Sequence, residues 1–154
     1  MGRSRYNDGM GPGDIEGMTP PKFSAHDPAF LAYMEEHGYV VIANVADAEQ
    51  ITKSHDAFWQ FHEDLGDEGG QCEQVLRADP STWGRDFLPH AATGIITGCG
   101  FGQSRFCWRL RTLPDVRTAF EKIWGTDDLI TSYDGGNAFR PWEARPDWKT
   151  QGGW

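Results

Sequence analysis

Apolar residues come in short bursts along this chain, and their spacing sets out a series of small elements. Phe30, Leu31 and Met34 recur at helical intervals between Asp27-Pro28, a start signal, and His37-Gly38, a stop signal. Tyr39 to Ile42 is β-branched and reads as a short strand. Asp47 with Gln50 three residues on makes a capping box, opening a second helix to about Leu65. Ile51, Phe58, Phe61 and Leu65 form its expected apolar stripe. Residues 67–92 read as loop, with room for a helical turn around Cys72 to Arg77. Gly94 to Thr97 is a candidate strand running into the glycine-rich Gly98 to Gly102.

The next segment, SRFCWRLRTL, fits a strand or a helix. As a strand it would alternate Arg109 and Arg111 with Trp108 and Leu110. Pro114 to Gly125 predicts a helix with Val116, Phe120 and Ile123 inward. Leu129 to Tyr133 follows as a strand, Asp134 to Asn137 as a turn or bulge, and 140–154 as an extended, aromatic segment. Residues 1–24 are rich in Gly, Pro and Met without periodicity and read as a disordered tail. The expected domain is 25–154.

Composition narrows the classes. A chain of 154 residues is one domain's worth, and its 19 Gly and 9 Pro favour turns over a helix bundle. A net charge of −9 lacks the basic face nucleic acid requires and speaks against anionic membranes. No run reaches the ~20 apolar residues of a membrane helix. The first residues lack the apolar core of a signal peptide. Cys72, Cys99 and Cys107 form no C-x-x-C pair and no even-numbered framework, so neither a structural zinc nor a disulfide scaffold is expected. The expectation is a soluble cytoplasmic protein.

Most candidate chemistry fails on geometry. Gly98, Gly100 and Gly102 follow a strand, but they fall as G-x-G-x-G with no amphipathic helix directly after them, so a structural loop fits better than a phosphate cradle. His62-Glu63-Asp64 has the H-x-D spelling of a non-haem iron site. Inside a helix, residues i and i+2 point about 200° apart and cannot chelate one ion. His55 and His62, about two turns apart, read as half-buried packing residues. His26 and His37 sit at helix ends. Neither Cys99 nor Cys107 has a nucleophile signature around it. No catalytic and no metal-ligating residue emerges. The remaining group is cationic and aromatic. Arginine among Trp rings can hold a small carboxylate by bidentate hydrogen bonds in a dry pocket.

Several tracts carry a resemblance: GYVVIANV, GQSRFCWRLR, IWGTDDLITSYDGGNAFRP and the final WKTQGGW. Together they resemble the phytanoyl-CoA dioxygenase-like family of iron(II)- and 2-oxoglutarate-dependent oxygenases, over Phe30 to Trp154. The stretch from Trp124 to Trp154 is the most specific. The resemblance implies an α+β fold, a double-stranded β-helix (jelly roll) with N-terminal and flanking helices, here incomplete. It also implies Fe(II) held by two His and a carboxylate, 2-oxoglutarate as cosubstrate, and a small organic molecule as substrate. In such relatives the tract resembling T-x-G-G-W runs into the H-x-D iron motif, so the resemblance places the metal ligands after Trp154. Gln103, Trp108, Asn137 and Arg140 are the matching positions expected to line the cofactor pocket. The expected function is the N-terminal portion of such an oxygenase, inactive alone. The alternatives are a non-catalytic ligand- or protein-binding module, or a half complemented by a separate C-terminal chain.

Overall fold

The structure, a computed structural model, describes residues 19–65, 75–83 and 94–149. The predicted helical turn at Cys72 to Arg77 lies largely outside these residues, as do 1–18 and His90. Order begins inside the stretch read as a tail. Lys22–Phe23 form strand β1, pairing in parallel with β2, Val41–Ile42. Between them runs helix α1, Ala29–His37, whose first turn is held by Asp27, the side chain accepting from the Ala29 N–H at 2.9 Å. Phe30 is its buried anchor, and the Phe23 ring lies 5.2 Å from that of Tyr33.

Helix α2, Ala48–Asp64, starts with the predicted capping box in both directions: Asp47 accepts from the Gln50 N–H, and Gln50 from the Asp47 N–H. Such a box satisfies donors the helix itself cannot reach. Its buried face differs from the expected stripe. Phe58, Phe61 and Leu65 pack on the core, whereas Ile51 is 58% exposed and Ser54 and His62 are the buried residues. His55 is exposed, so the two histidines are not alike.

The ambiguous SRFCWRLRTL is helical. Ser104 caps α3, Arg105–Arg111, by accepting from the Cys107 N–H at 3.2 Å, and Cys107 faces the core as a free thiol. The alternation imagined for Arg109 and Arg111 on a strand therefore does not occur. Cys99, by contrast, is disulfide-bonded, although the cysteine pattern gives no indication of a disulfide scaffold. Helix α4, Pro114–Trp124, ends at Gly125 as predicted. Its buried residue is Ala119, while Phe120 is half-exposed.

Strand β3, Ile95–Ile96, is where the sequence places it, and its antiparallel partner is β4, Gly136–Asn137, from the segment read as a turn. Leu129 to Tyr133, read as a strand, has no ladder partner among the described residues. The described strands form two two-stranded sheets. Two glycines explain how the 134–136 backbone settles against its neighbours. A Cβ at Gly102 would lie 2.6 Å from the Asp134 carbonyl oxygen, and one at Gly135 would run into that of Ile96. The glycine run thus serves close backbone approach.

The core sits where α2, α3 and this glycine-bearing loop meet. Val75, Ile96, Phe101 and Cys107 are its buried centre. The Phe101 ring lies 5.1 Å from Phe61, 5.7 Å from Phe106 and stacked 6.2 Å from His62. No helix among the described residues is long and apolar enough to cross a membrane.

Candidate functional site

The four positions expected to share a pocket separate into two pairs. Gln103, in the turn just before α3, and Trp108, on α3, pair with each other: the Trp108 indole N–H donates to the Gln103 side chain at 3.2 Å. Arg111 stands 5.5 Å from the Trp108 ring and donates to the carbonyls of Gly102 and Asp134. That arginine fastens the 134–135 backbone to the turn at Phe101–Gln103.

Asn137 and Arg140 lie on the other side, lining a cavity of about 330 Å³. Strand β4 ends at Asn137, and the chain then carries Arg140 under the Trp-rich turn. Its guanidinium donates to the Trp83 carbonyl at 3.1 Å and lies 5.7 Å from the Trp148 ring. Burial pushes the Arg140 pKa down from its ordinary value, an effect opposed by nearby Asp147 and reinforced by Arg145. An arginine still carries its charge under such conditions. The cavity is therefore a cationic corner in an aromatic wall.

That wall was not anticipated from the sequence. Trp59 on α2 and Trp83 stand 5.1 Å apart at 30°, and Phe58, Phe106, His55 and Phe139 are among the other residues of the lining. Trp83 is held by a turn built from Asp79-Pro80-Ser81-Thr82: Asp79 accepts from the Ser81 N–H, and the Trp83 indole donates to the Leu76 carbonyl at 2.9 Å. The signal was present in Pro80 to Trp83, but nothing local says that this loop returns to α2. Trp148, 4% exposed, lies tilted behind Trp83 at 6.1 Å and receives Arg145 on its face at 4.8 Å.

The described residues do not fit a metal. They contain no group of three or more His, Cys, Asp and Glu able to hold one. His62 is fully buried within the Phe58, Phe61 and Phe101 cluster, and burial lowers its pKa to about 4. Asp64, two residues on, accepts from Gln60 at 2.7 Å, and Glu63 accepts from the Arg77 N–H. The His62-Glu63-Asp64 spelling therefore lies on a helix with its side chains engaged separately. His26 pairs with Asp115 at 3.1 Å and belongs to no group of three ligand types among the described residues.

Comparison with known proteins adds a direction. No protein-family model and no solved structure matches the chain. It is 40% identical over 57 residues to "Ava biosynthesis cluster protein O" of Aspergillus versicolor, covering 37% of this chain and 18% of that protein. It is 27% identical over 122 residues to a protein of Dictyostelium discoideum named "Putative phytanoyl-CoA dioxygenase", covering 77% of this chain. The chain spans 33% of that protein's length. It is thus similar, through most of its own length, to about a third of a protein bearing a dioxygenase name.

Proposed function

We propose that this chain is the N-terminal portion of a non-haem Fe(II)/2-oxoglutarate-dependent dioxygenase that hydroxylates an organic substrate, with a jelly-roll domain completed by polypeptide outside this span. The observation that carries the reading is the similarity over 77% of the chain to the D. discoideum protein. The Asn137 and Arg140 corner supports it, because a guanidinium against indole rings suits a small acid such as 2-oxoglutarate. Metal and cosubstrate would supply the oxidising chemistry, and the residues described here would shape and charge one wall. Gln103 and Trp108, paired on another face, would serve that wall indirectly through the Arg111 clasp.

The test is succinate formation with Fe(II), 2-oxoglutarate and O₂. A longer polypeptide, completed to the length of the D. discoideum protein, should form succinate, and the 154-residue chain should not. Stoichiometric iron binding with succinate from the chain alone would overturn the reading. A second reading, a non-catalytic ligand-binding module, is favoured by the cavity itself, since its lining is complete enough to hold a small acid. Metal-independent binding of 2-oxoglutarate, lost in Arg140→Ala, with no succinate from the longer polypeptide, would select it.

A further inference from the structure

Helix α4 has one buried residue, Ala119, and a second stripe turned away from the core. Val116, Phe120 and Trp124 recur on that stripe at four-residue intervals, over about 12 Å of helix. After the turn at Gly125 the chain comes back, and Leu129 and Ile130 line a groove of about 530 Å³ together with this stripe. Sites for small molecules have volumes of about 300–1,000 Å³, largely apolar with a few convergent polar groups. Phe120 is half-exposed, Trp124 70% exposed and Ile130 99%, so the apolar end of the groove is accessible and 129–132 form its open edge.

The polar end lies where α3 runs into α4, and its hydrogen-bond donors are nearly all committed. The Thr112 hydroxyl donates to the Trp108 carbonyl at 2.8 Å, and that of Ser132 to the Asp134 carboxylate at 2.9 Å. The Trp108 indole N–H is taken by Gln103. What is left over is guanidinium. An arginine has five N–H donors. Arg111 bonds the Gly102 and Asp134 carbonyls, and Arg117 bonds Glu121 at 3.0 Å. Carbonyls are uncharged, so Arg111 keeps its whole charge, and the Arg117–Glu121 pair is exposed enough to be weak. The lining sets Arg111 and Arg117 against Asp134, a locally positive end on a chain carrying −9.

Such an end lacks an anionic acceptor, and a carboxylate matches the planar guanidinium fork. The rest of the lining selects the body. Trp108, Phe120 and Trp124 favour a flat ring over an alkyl chain, because paired rings gain attraction beyond their buried area and a rigid ligand loses less freedom on binding. We propose that this groove binds an aromatic carboxylic acid, its ring against Phe120 and Trp124 and its carboxylate on Arg111 and Arg117. The site shares no residue with the Arg140 cavity and does not rest on the oxygenase reading.

The test is binding of 2-naphthoate to the 154-residue chain, read by calorimetry and by amide exchange at 129–132. The acid should bind and slow those amides. Naphthalene-2-methanol, which has the ring without the charge, should bind about tenfold more weakly or worse, and so should decanoate, which has the charge without the ring. Arg117→Gln and Trp124→Ala, both at exposed positions, should each weaken 2-naphthoate by about tenfold while leaving the melting midpoint unchanged. No binding of 2-naphthoate, equal binding of the alcohol or of decanoate, or affinity untouched in both variants would overturn the proposal. So would a dimer of the chain that Trp124→Ala dissociates, since a second copy would then fill the groove. The remaining occupant is polypeptide, tested in a chimera carrying this chain in place of the matched third of the D. discoideum protein. The folded chimera should still bind 2-naphthoate, and loss of binding there would assign the groove to polypeptide and contradict the proposal.

Discussion

Phe101 and Ile130 are both large apolar residues, yet one is 1% exposed and the other 99%. Around Phe101 the chain closes on itself: α2, α3 and the glycine-bearing loop bring Phe61, Phe106 and His62 to the ring. Around Ile130 the backbone belongs to no helix or strand and has no ladder partner among the described residues, and its neighbours Tyr133 and Trp124 are also exposed. The contrast teaches that hydrophobicity alone does not assign a residue to the core. What matters is whether a partner surface lies within reach of the same stretch of chain.

The contrast can be broken most severely at its buried end. Phe101→Ala should cost about 3–5 kcal/mol, read from the shift of a denaturant midpoint, because a filled ring site is emptied. Ile130→Ala should change the same midpoint by less than about 0.5 kcal/mol. Comparable losses at the two sites would remove the distinction.

Acid should weaken the buried side next. His62 has a pKa of about 4 against its ordinary 6.5, the cause being burial. Between those values the unfolded chain binds more protons than the folded one. Stability present above pH 6.5 is therefore lost as pH falls towards 4, by roughly 3 kcal/mol in total for this one group. Below that range both states are protonated and His62 contributes no further slope. Denaturant titrations at pH 7 and pH 4.5 measure the loss, and His62→Phe should flatten the difference. An unchanged pH slope in that variant would assign the effect elsewhere.

Backbone closeness comes after that. Gly102→Ala places a methyl against the Asp134 carbonyl and should cost about 1–3 kcal/mol. Because Asp134 neighbours the open stretch, this variant should also speed amide exchange at Ala138, whose N–H bonds Gly94. Stability loss with no change at Ala138 would show that the two chain segments are not coupled through this approach. The smallest effect concerns a helix start away from both regions. Asp47→Ala should cost about 1 kcal/mol by thermal or chemical melting, since it removes one arm of the capping box.

These regions also differ in how far the sequence revealed them. Asp47 with Gln50, Pro114 and Gly125 act within a turn of their own helix, so spelling alone located those boundaries. Phe120 and Ile51 lie at helical spacing from buried neighbours yet face solvent, because the width of the covered stripe depends on what packs against it. SRFCWRLRTL became a helix once Ser104 capped it, a choice that period-two and helical patterns had left open over ten residues. Strand pairing was least legible. Gly136 and Asn137 look like turn residues, and they pair with Ile95 and Ile96 because glycine lets the backbones meet; Leu129 to Tyr133 has strand composition and no described partner. For the candidate site, Asn137 and Arg140 were named from the sequence and do share a cavity. Trp59 and Trp83 were not named, because their meeting depends on a loop return that no local signal encodes. Trp108 is separated from that cavity because on a helix it points away from Phe106, which lines it, and Gln103 because it belongs to the turn before α3.

The most direct test of this contrast is amide exchange on the 154-residue chain by itself. Amides in α3 and at Ala138 should exchange slowly, while those of 130–135 and Asn137 should exchange at nearly unstructured rates in a monomer. Slow exchange at 130–135 in a monomer would show that the chain already covers this edge and would contradict the division between a closed face and an open one.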